Sequence, residues 1–310
     1  MTKRARLLLG MLVLTATPAW SAEFYVDPKH GDNAHDGSRS RPWRSIQQLI
    51  DKGMIETQKW AELPYRAGVA LVPQHSGAPI QAGDTIYLLS GYHGELLIKN
   101  AYNAQPITVA AAEGHHPKLK RVQIRSGAGW ILRGLHISPE FAPSYERITL
   151  LDLDSHGFSG PVREIVVEQC HLQSVEDATA WSAEDWNMRA CNGIEVDGER
   201  MTVRDCHLQN VNFGISVSAS HSLIERNTVE NFSGDGMRGL GDHTTFQYNT
   251  VKNCYDVNGN HDDGFQSWST GSGGVGTGQV VGVVLRGNRI VNYEDPAQPH
   301  RCTLQGIGMF

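Results

Sequence analysis

The sequence has no basic surplus and, beyond its first residues, no long hydrophobic run. Its 310 residues contain 27 Lys and Arg against 33 Asp and Glu, which gives a net charge of −6. A general nucleic-acid-binding protein normally shows a basic surplus or a basic patch, so no nucleic-acid partner is expected. No segment after residue 21 approaches the roughly 18 consecutive apolar residues of a membrane helix, and we expect no membrane span in the mature chain.

Cysteine is scarce as well, and its spacing matches no metal motif. The five cysteines are too few for a disulfide scaffold, and none has the Cys-x-x-Cys or His–Cys spacing of a zinc site. An odd number leaves at least one of them unpaired. Neither a zinc site nor a cysteine nucleophile is expected.

The long apolar run that does occur lies at the N-terminus. Lys3, Arg4 and Arg6 precede the apolar residues 7–13, and the triplet 19–21 ends the segment. This order is typical of a secretory signal peptide. We therefore expect residues 1–21 to be removed and the mature chain, residues 22–310, to be secreted or periplasmic. Removal takes away three bases and no acids, which leaves 24 − 33 = −9.

What the sequence has in abundance is an internal repeat. Copies of one short segment begin at residues 131, 166, 202, 223, 245 and 284. The steps between them are 35, 36, 21, 22 and 39 residues. The basic unit is therefore 21 to 22 residues long, and longer steps contain inserted loops, two of which we place at about residues 176–190 and 269–282.

Glycine and asparagine recur in phase with this unit. The glycines are Gly193, Gly214, Gly236, Gly264 and Gly306, and the asparagines form two columns, Asn210, Asn231, Asn253, Asn292 and Asn227, Asn249, Asn288. Stacked asparagines hydrogen-bond along a column, and about 22 residues with several short strands predict a β-solenoid. Cys170 and Cys206 precede the second column, so they stack or form a disulfide, whereas Cys254 takes a core position.

The N-terminal part resembles the first coils of known β-solenoids. Residues 24–27, 84–88 and 106–109, together with Trp43 and the segment that starts at Ser45, are similar to those of the pectin-lyase-like superfamily. The resemblance covers nearly all of the mature chain. It implies an all-β, right-handed parallel β-helix that forms a single domain over residues 22–310, with a capping helix at about residues 45–51.

One polar patch stands out on the wall of the predicted solenoid. Asp235 and Asp263 precede the glycines of adjacent coils, Asp262 adjoins Asp263, and Arg238 and Gln266 share an outward position. Parallel strands lie about 4.8 Å apart, so three carboxylates would lie within roughly 10 Å. Like charges this close repel unless a cation or proton intervenes, and such oxygen ligands suit Ca²⁺. The plainer alternative is that the Asp-Gly pairs only form turns.

The patch resembles the metal site of the calcium-dependent pectate lyases. That family places one Asp on one coil and Asp-Asp-Gly-aromatic-Asp on the next, a pattern that Asp235 and residues 262–265 match. The resemblance implies a Ca²⁺ cofactor with these ligands: Asp235, Asp262, Asp263 and Gln266. The lysine base of that family would stand at Gly308 and is missing. Arg238 is the candidate in its place, either as the base or as a ligand of the substrate carboxylate.

Other reactions remain open on the same residues. The patch also resembles that of polygalacturonase-like hydrolases, in which the aspartates serve as general acid and water-activating base. The histidine and Arg-x-Lys motifs of that family have no counterpart in this sequence. A uronate epimerase is a third alternative, since it begins with the same proton abstraction. A non-catalytic polysaccharide-binding surface protein is a fourth, because fold does not determine function.

Further candidate residues lie beside the patch. His261 is a second possible catalytic base, and its alternative role is that of a turn or surface residue. Trp181, Trp186 and Trp268 lie in or next to the inserted loops, and Glu195 takes the outward position of its coil. These four are the expected substrate-binding residues, because aromatic rings of this kind can stack on sugar faces. The tryptophans can equally cover the edge of the core.

The sequence thus predicts a secreted enzyme that cleaves an acidic, uronate-containing polysaccharide by β-elimination. This reaction needs a cation to neutralise the uronate carboxylate and a base to remove the neighbouring proton. Ca²⁺ held by the aspartates would supply the cation, and the polysaccharide is the expected partner.

Overall fold

The computed structural model describes residues 21–310, so the predicted signal peptide lies outside the described residues apart from Ser21. The strands are β1 (Glu23–Val26), β2 (Thr57–Trp60), β3 (Leu71–Gln74), β4 (Thr85–Leu88), β5 (Gly91–Tyr92), β6 (Glu95–Ala111), β7 (Pro117–Leu119), β8 (Arg121–Arg133), β9 (His136–Ile137), β10 (Thr149–Asp154), β11 (Arg163–Glu168), β12 (His171–Gln173), β13 (Asn192–Val196), β14 (Thr202–Arg204), β15 (His207–Val211), β16 (Ile215–Val217), β17 (Leu223–Glu225), β18 (Thr228–Phe232), β19 (Met237–Gly239), β20 (Thr245–Gln247), β21 (Thr250–Cys254), β22 (Phe265–Ser267), β23 (Thr270–Gly271), β24 (Gly274–Val275), β25 (Val284–Arg286), β26 (Arg289–Val291) and β27 (Ile307–Met309). The helices are α1 (Ile46–Asp51) and α2 (Ala183–Arg189), with a 3-10 turn at Pro139–Phe141. Within residues 21–310 no helix has the length and apolar character to cross a membrane.

The strands coil into a solenoid with three faces. Face 1 consists of β1, β4, the ends of β6 and β8, and β11, β14, β17, β20 and β25; face 2 of the starts of β6 and β8, and β10, β13, β16, β19, β22 and β27; face 3 of β5, β7, β9, β12, β15, β18, β21 and β26. The chain visits the faces in turn, so that β13, β14 and β15 form one coil and β16, β17 and β18 the next. The prediction of an all-β, parallel β-helix is confirmed.

Apolar columns and glycines hold neighbouring coils in register. Ile194, Ile215, Met237 and Phe265 pair in one inward column, and all are buried. Removing such columns from water is the main driving force for folding. The repeat glycines have a different role: a Cβ at Gly193 would overlap the carbonyl oxygen of the next coil. Glycine recurs there because the backbones of adjacent coils approach too closely for any side chain.

Helix α1 closes the start of the solenoid, as predicted. The Ser45 side chain caps its first turn by accepting from the Gln48 backbone N–H. Ile46 and Leu49 are buried in the main apolar core. The Gln47 side chain both donates to the Leu97 carbonyl oxygen, at 3.2 Å, and accepts from its N–H, at 2.8 Å. The helix thereby satisfies backbone groups of β6 that a preceding coil would otherwise bond.

The second asparagine column is a continuous hydrogen-bonded ladder. The Nδ2 of Asn227 donates to the Oδ1 of Asn249, and the Nδ2 of Asn249 donates to the Oδ1 of Asn288, each at 3.0 Å. Each amide also donates to a backbone carbonyl oxygen of the coil before it. Buried amides are costly unless hydrogen-bonded, and here every one of the three has partners.

The cysteines separate into one bonded pair and three free thiols. Cys254 is buried, as predicted, and forms a disulfide with Cys302, with 5.6 Å between their Cα atoms. Cys170, Cys191 and Cys206 are buried and free. The disulfide alternative for Cys170 and Cys206 is therefore wrong: the two stack on adjacent coils, and their thiols point to backbone carbonyl oxygens.

Both predicted loops contain local structure. The first, at residues 176–190, includes α2, whose capping box joins Ser182 and Asp185. The second, at residues 269–282, begins with an antiparallel hairpin of β23 and β24. The two insertions are thus partly ordered excursions from the coil.

Face 3 also carries a column of three histidines. His136, His171 and His207 pair across β9, β12 and β15, with ring centroids 4.6 and 4.8 Å apart. The Nε2 atoms of His136 and His171 are buried without a hydrogen-bond partner in the described chain. Burial and the neighbouring imidazoles lower the pKa of His171 to about 4. His136 and His171 thus favour neutral rings, whereas the Nε2 of His207 at the end of the column lies 3.1 Å from the Oε1 of Glu230.

A fall in pH should therefore lower the free energy of unfolding through this histidine column. The pKa of His171 is depressed in the folded state relative to about 6.5 in the unfolded chain, so its stabilisation is present above pH 6.5 and is lost as the pH falls toward 4. Because His171 is only partly buried, we expect a loss of about 1–2 kcal/mol. His171→Thr, which copies Thr228 and Thr250 of the same column, should flatten the stability difference between pH 7.5 and 4.5 in urea unfolding.

The control for this measurement is His30→Thr, at an exposed histidine outside the column. Equal pH dependence for His171→Thr and the parent chain would contradict the role assigned to the stack.

Candidate functional site

Face 2 carries the predicted site on its outward side. One column there, in register from β8 to β27, contains Gln123, Asp152, Glu195, Ser216, Arg238, Gln266 and Gly308. On three coils, a polar side chain just before the glycine hydrogen-bonds to the column residue three positions later. These bonds are Asn192–Glu195 at 2.9 Å, Asp235–Arg238 at 2.6 Å and Asp263–Gln266 at 3.0 Å. The two positions form one polar strip along the solenoid.

Asp235 and Asp263 form the centre of this strip. Their side chains are 1% and 0% exposed. Asp235 accepts a hydrogen bond from the Nε of Arg238 through Oδ2 and, at 3.1 Å, from the backbone N–H of Asp263 through Oδ1. Asp263 accepts from Gln266 through Oδ2, but its buried Oδ1 has no partner among residues 21–310. The structure thus brings together four of the predicted site residues.

Burial raises the pKa of both carboxyl groups. For Asp235 the loss of hydration raises the pKa, and the guanidinium of Arg238 opposes that rise. For Asp263 the loss of hydration and then the charge of Asp235 both raise the pKa. Arg238 is therefore the strongest of the groups that favour the ionised form of Asp235, ahead of the Asp263 backbone N–H.

Arg238 is held by aromatic rings as well as by Asp235. Its guanidinium carbon lies 3.4 Å from the ring centroid of Phe213 and 5.4 Å from that of Trp268, a geometry in which ring and cation attract. The side chain is 19% exposed. Only its Nε is engaged, so no described residue accepts a hydrogen bond from the terminal nitrogens. That fork can receive a planar carboxylate from outside the protein.

A groove in front of Arg238 has a volume of about 290 Å³. Its polar lining consists of Asp152, Asp154, Glu195, Asp197, Ser216, Ser218, Arg238 and Trp268. Trp268 also borders a second cavity, of about 640 Å³, which is lined by residues 278–283 of the second inserted loop. The predicted substrate-binding residues Glu195 and Trp268 therefore lie in the same groove as Arg238, and Trp268 also borders the cavity that the second loop lines.

Asp262 lies next to the Cys254–Cys302 disulfide. Its carboxylate and the sulfur atoms of Cys254 and Cys302 lie within 4.8 Å of one another. Within the described chain no other group of three His, Cys, Asp or Glu side chains brings its ligand atoms so close. Burial raises the pKa of Asp262 to about 7. The charges of Asp256, Asp235 and Asp263 add to that rise of the Asp262 pKa, so this carboxyl neighbours the disulfide and also feels the other two aspartates.

In the described conformation the four predicted calcium ligands do not form a complete site. A protein site for Ca²⁺ takes about six to eight oxygen ligands. Asp262 lies next to the disulfide, and both oxygens of Asp235 are already hydrogen-bonded. Of the four predicted ligands, Asp263 retains one free carboxylate oxygen and Gln266 its amide oxygen. The positive charge that the structure places beside the carboxylates is Arg238.

The second predicted base, His261, is exposed at the edge of the site. Its Nδ1 lies 3.4 Å from the side-chain nitrogen of Gln305 on the next coil. A protonated His261 would lower the pKa of both Asp235 and Asp263. It is accessible, as a base must be.

The prediction that Trp181 and Trp186 bind substrate is wrong. Both are buried, at 7% and 1% exposure, in a small apolar cluster beneath α2. Trp186 stacks on Tyr255 with 4.5 Å between ring centroids. A ring enclosed in this way has no free face for a sugar, so these tryptophans hold the first inserted loop on the solenoid.

Sequence reasoning missed four residues around Arg238: Phe213, whose ring contacts the guanidinium, and three acids that line the groove. Phe213 occupies the position of Asp235 and Asp263 in its own coil, and that repeat position was the available signal. The other three are the groove acids Asp152, Asp154 and Asp197. Asp152 and Asp154 alternate with leucine in β10, and Asp197 lies in the next coil. They carry no repeat glycine beside them, so the glycine pattern did not reveal them.

Comparisons with known proteins support the fold. Residues 192–307 match the family model described as a right-handed β-helix region. The matched segment includes Asp235, Arg238 and Asp263, and the description gives the hand of the solenoid. No curated protein has a sequence that matches this chain.

Three solved structures resemble the chain at low identity. The pectate lyase Pel9A aligns at 13% identity over 88% of this chain and 62% of its own, with a TM-score of 0.49. The GH136 lacto-N-biosidase from Eubacterium ramulus aligns at 14% identity over 87% and 67%, with a TM-score of 0.34. The mannuronan C-5 epimerase AlgE6 A-module from Azotobacter vinelandii aligns at 14% identity over 66% and 59%, with a TM-score of 0.42.

The chain thus spans 62% of that pectate lyase and 59% of that epimerase module. The three names denote three different reactions. At these identities the alignments assign none of them to this chain.

Proposed function

We propose that this right-handed parallel β-helix is an enzyme that cleaves a uronate-containing polysaccharide by β-elimination. The observation that carries the proposal is Arg238, which lines the groove while the buried Asp235 fixes its Nε and no described residue accepts from its terminal nitrogens. A fixed guanidinium is suited to bind a carboxylate in a bidentate pair. Trp268 borders the same groove and offers a ring to a neighbouring sugar.

In this reaction a base removes the proton at C5 of the uronate. The electron pair forms the C4–C5 double bond, the bond between C4 and the glycosidic oxygen breaks, and that oxygen takes up a proton. Negative charge grows on the carboxylate as the C5 proton leaves, and the guanidinium of Arg238 stabilises it. The exposed His261 is the proposed base, since an imidazole is a suitable proton acceptor near neutral pH.

A glycoside hydrolase is the second candidate, and Asp263 favours it. This carboxyl has a raised pKa and one oxygen without a partner, whereas Asp235 is paired with a guanidinium. Two carboxyls in different environments can divide the roles of general acid and base. Export of the mature chain to the periplasm or the medium is part of the main proposal and rests on residues 1–21.

Product analysis of residues 22–310 separates these functions. The protein is incubated with a panel of uronate-containing polymers, with Ca²⁺ or with a chelator, and both ultraviolet absorbance of unsaturated ends and reducing ends are recorded. We expect unsaturated ends that persist in chelator, because Arg238 supplies the cation. Reducing ends without unsaturation would identify the hydrolase, and no product from any polymer would contradict an enzymatic role. Activity that chelator abolishes and Ca²⁺ restores would contradict the role given to Arg238 alone.

A further inference from the structure

Two outward columns of this solenoid differ in how their charged side chains are paired. On face 1 the column reads Arg133, Glu168, Arg204, Glu225 and Gln247, in register across β8, β11, β14, β17 and β20. Its signs alternate, and Glu168 pairs with the arginines on both sides. On face 2 the corresponding run contains Asp152 and Glu195 without a cation between them. The fold can therefore neutralise such a column and does not do so at the groove.

Three carboxylates of the groove have no counter-charge. Asp152 accepts a hydrogen bond from the amide of Gln123, Glu195 from that of Asn192, and Asp197 from a backbone N–H. None of the three forms an ion pair among residues 21–310, whereas Asp154 is neutralised by Arg125. Amide donors hold these acids in place without cancelling their charge.

The unpaired acids lie at defined steps from Arg238. Glu195 is two coils away in the same column and Asp152 three coils away, or about 10 and 14 Å at the strand spacing of a parallel sheet. Arg238 and Trp268 share one cavity with them. A polymer that places one carboxylate on Arg238 and extends along the column brings its next sugars over these acids.

We propose that the substrate is a heteropolymer in which uronates are separated by uncharged or amino sugars, and not a run of consecutive uronates. This inference rests on the proposed function. Arg238 accepts one carboxylate, and the acids at Glu195 and Asp152 repel a second one while they tolerate a neutral sugar and attract an ammonium group. The groove acids are thus specificity determinants rather than catalytic residues.

The test compares three polymers at low and at moderate salt: a homopolyuronate, an alternating uronate–neutral hexose polymer and an alternating uronate–amino sugar polymer. We expect kcat/KM for unsaturated-end formation to be at least tenfold lower on the homopolyuronate. Added salt should reduce this difference in kcat/KM, because it screens the repulsion: the Debye length is only about 10 Å at 0.1 M. The variant Glu195→Gln with Asp152→Asn should raise the homopolyuronate rate severalfold relative to the neutral alternating polymer. Glu62→Gln, which removes an exposed acid outside the groove, should leave the ratio unchanged.

Failure of the charge rule and failure of the lyase proposal would give different results. Equal rates on the homopolyuronate and the alternating polymers, with no change of ratio in the double variant, would overturn the charge rule and leave the lyase proposal intact. No unsaturated ends from any of the three polymers would sink the lyase proposal itself. A preference for the amino sugar polymer over the neutral one identifies which non-anionic unit the groove favours.

Discussion

Arg238→Met should reduce polysaccharide cleavage at least a hundredfold and lower the free energy of unfolding by about 3 kcal/mol. Methionine keeps an apolar stem against Phe213 but leaves Asp235 buried beside Asp263 with no positive partner. Removing one member of a buried ion pair typically costs about 3–5 kcal/mol. We expect the lower end because the Arg238 side chain retains 19% exposure. Denaturant unfolding and initial rates of unsaturated-end formation measure the two effects.

Two further variants separate stability from function. Arg238→Lys keeps the charge but not the planar fork, so most of the stability should return while cleavage stays low. Arg238→Met combined with Asp235→Asn removes both charges and should also recover stability without activity. Wild-type activity in Arg238→Met would show that the guanidinium does not bind the reacting sugar.

Loss of the Cys254–Cys302 disulfide should have the second large effect, a decrease of about 4 kcal/mol in the free energy of unfolding. The bond closes a segment with a sequence separation of 48 residues, and the chain-entropy relation for a loop of that size gives this value. Cys302→Ser should have the lower free energy of unfolding both with and without reductant. The parent chain should show that lower value only after reduction.

The matched control is Cys191→Ser, at a buried thiol that forms no disulfide. Its stability should still drop on reduction by the same amount as that of the parent chain. In denaturant, the parent protein should show three reactive thiols without reductant and five with it. Five thiols in the unreduced protein would refute the bond.

The coil architecture was predictable because the same residue pattern recurs in several coils. Each glycine such as Gly193 marks a close backbone approach, and each asparagine such as Asn249 marks a buried hydrogen bond. One coil alone would not identify the fold, whereas several coils with these residues at the same positions do. The strip of Asp235, Arg238, Asp263 and Gln266 followed from the same register, since strand alternation places side chains reliably within a column.

Residues outside the repeated strands were not predictable in this way. Asp262 precedes β22 in a loop, where strand alternation does not apply, and its side chain turns toward the disulfide. Cys302 lies in an inserted segment with no equivalent in earlier coils. Trp186 is a buried residue of α2, whose start is marked by the capping-box pair Ser182 and Asp185, a local signal that lies outside the repeat.

The asparagine ladder also gives the solenoid a polarity. Every amide oxygen in it accepts from the coil before, so Cys206, Asn227 and Asn249 all donate toward the C-terminal side, and bonds arranged head to tail polarise one another. A duplication or deletion of one whole coil preserves this chain of donors, whereas a change of a few residues interrupts it. Where Cys170 and Cys206 replace asparagine, the column consists of packed thiols. The coils from Cys206 to Asn288 are therefore joined by one directional chain of amide hydrogen bonds, which the coils before Cys206 lack.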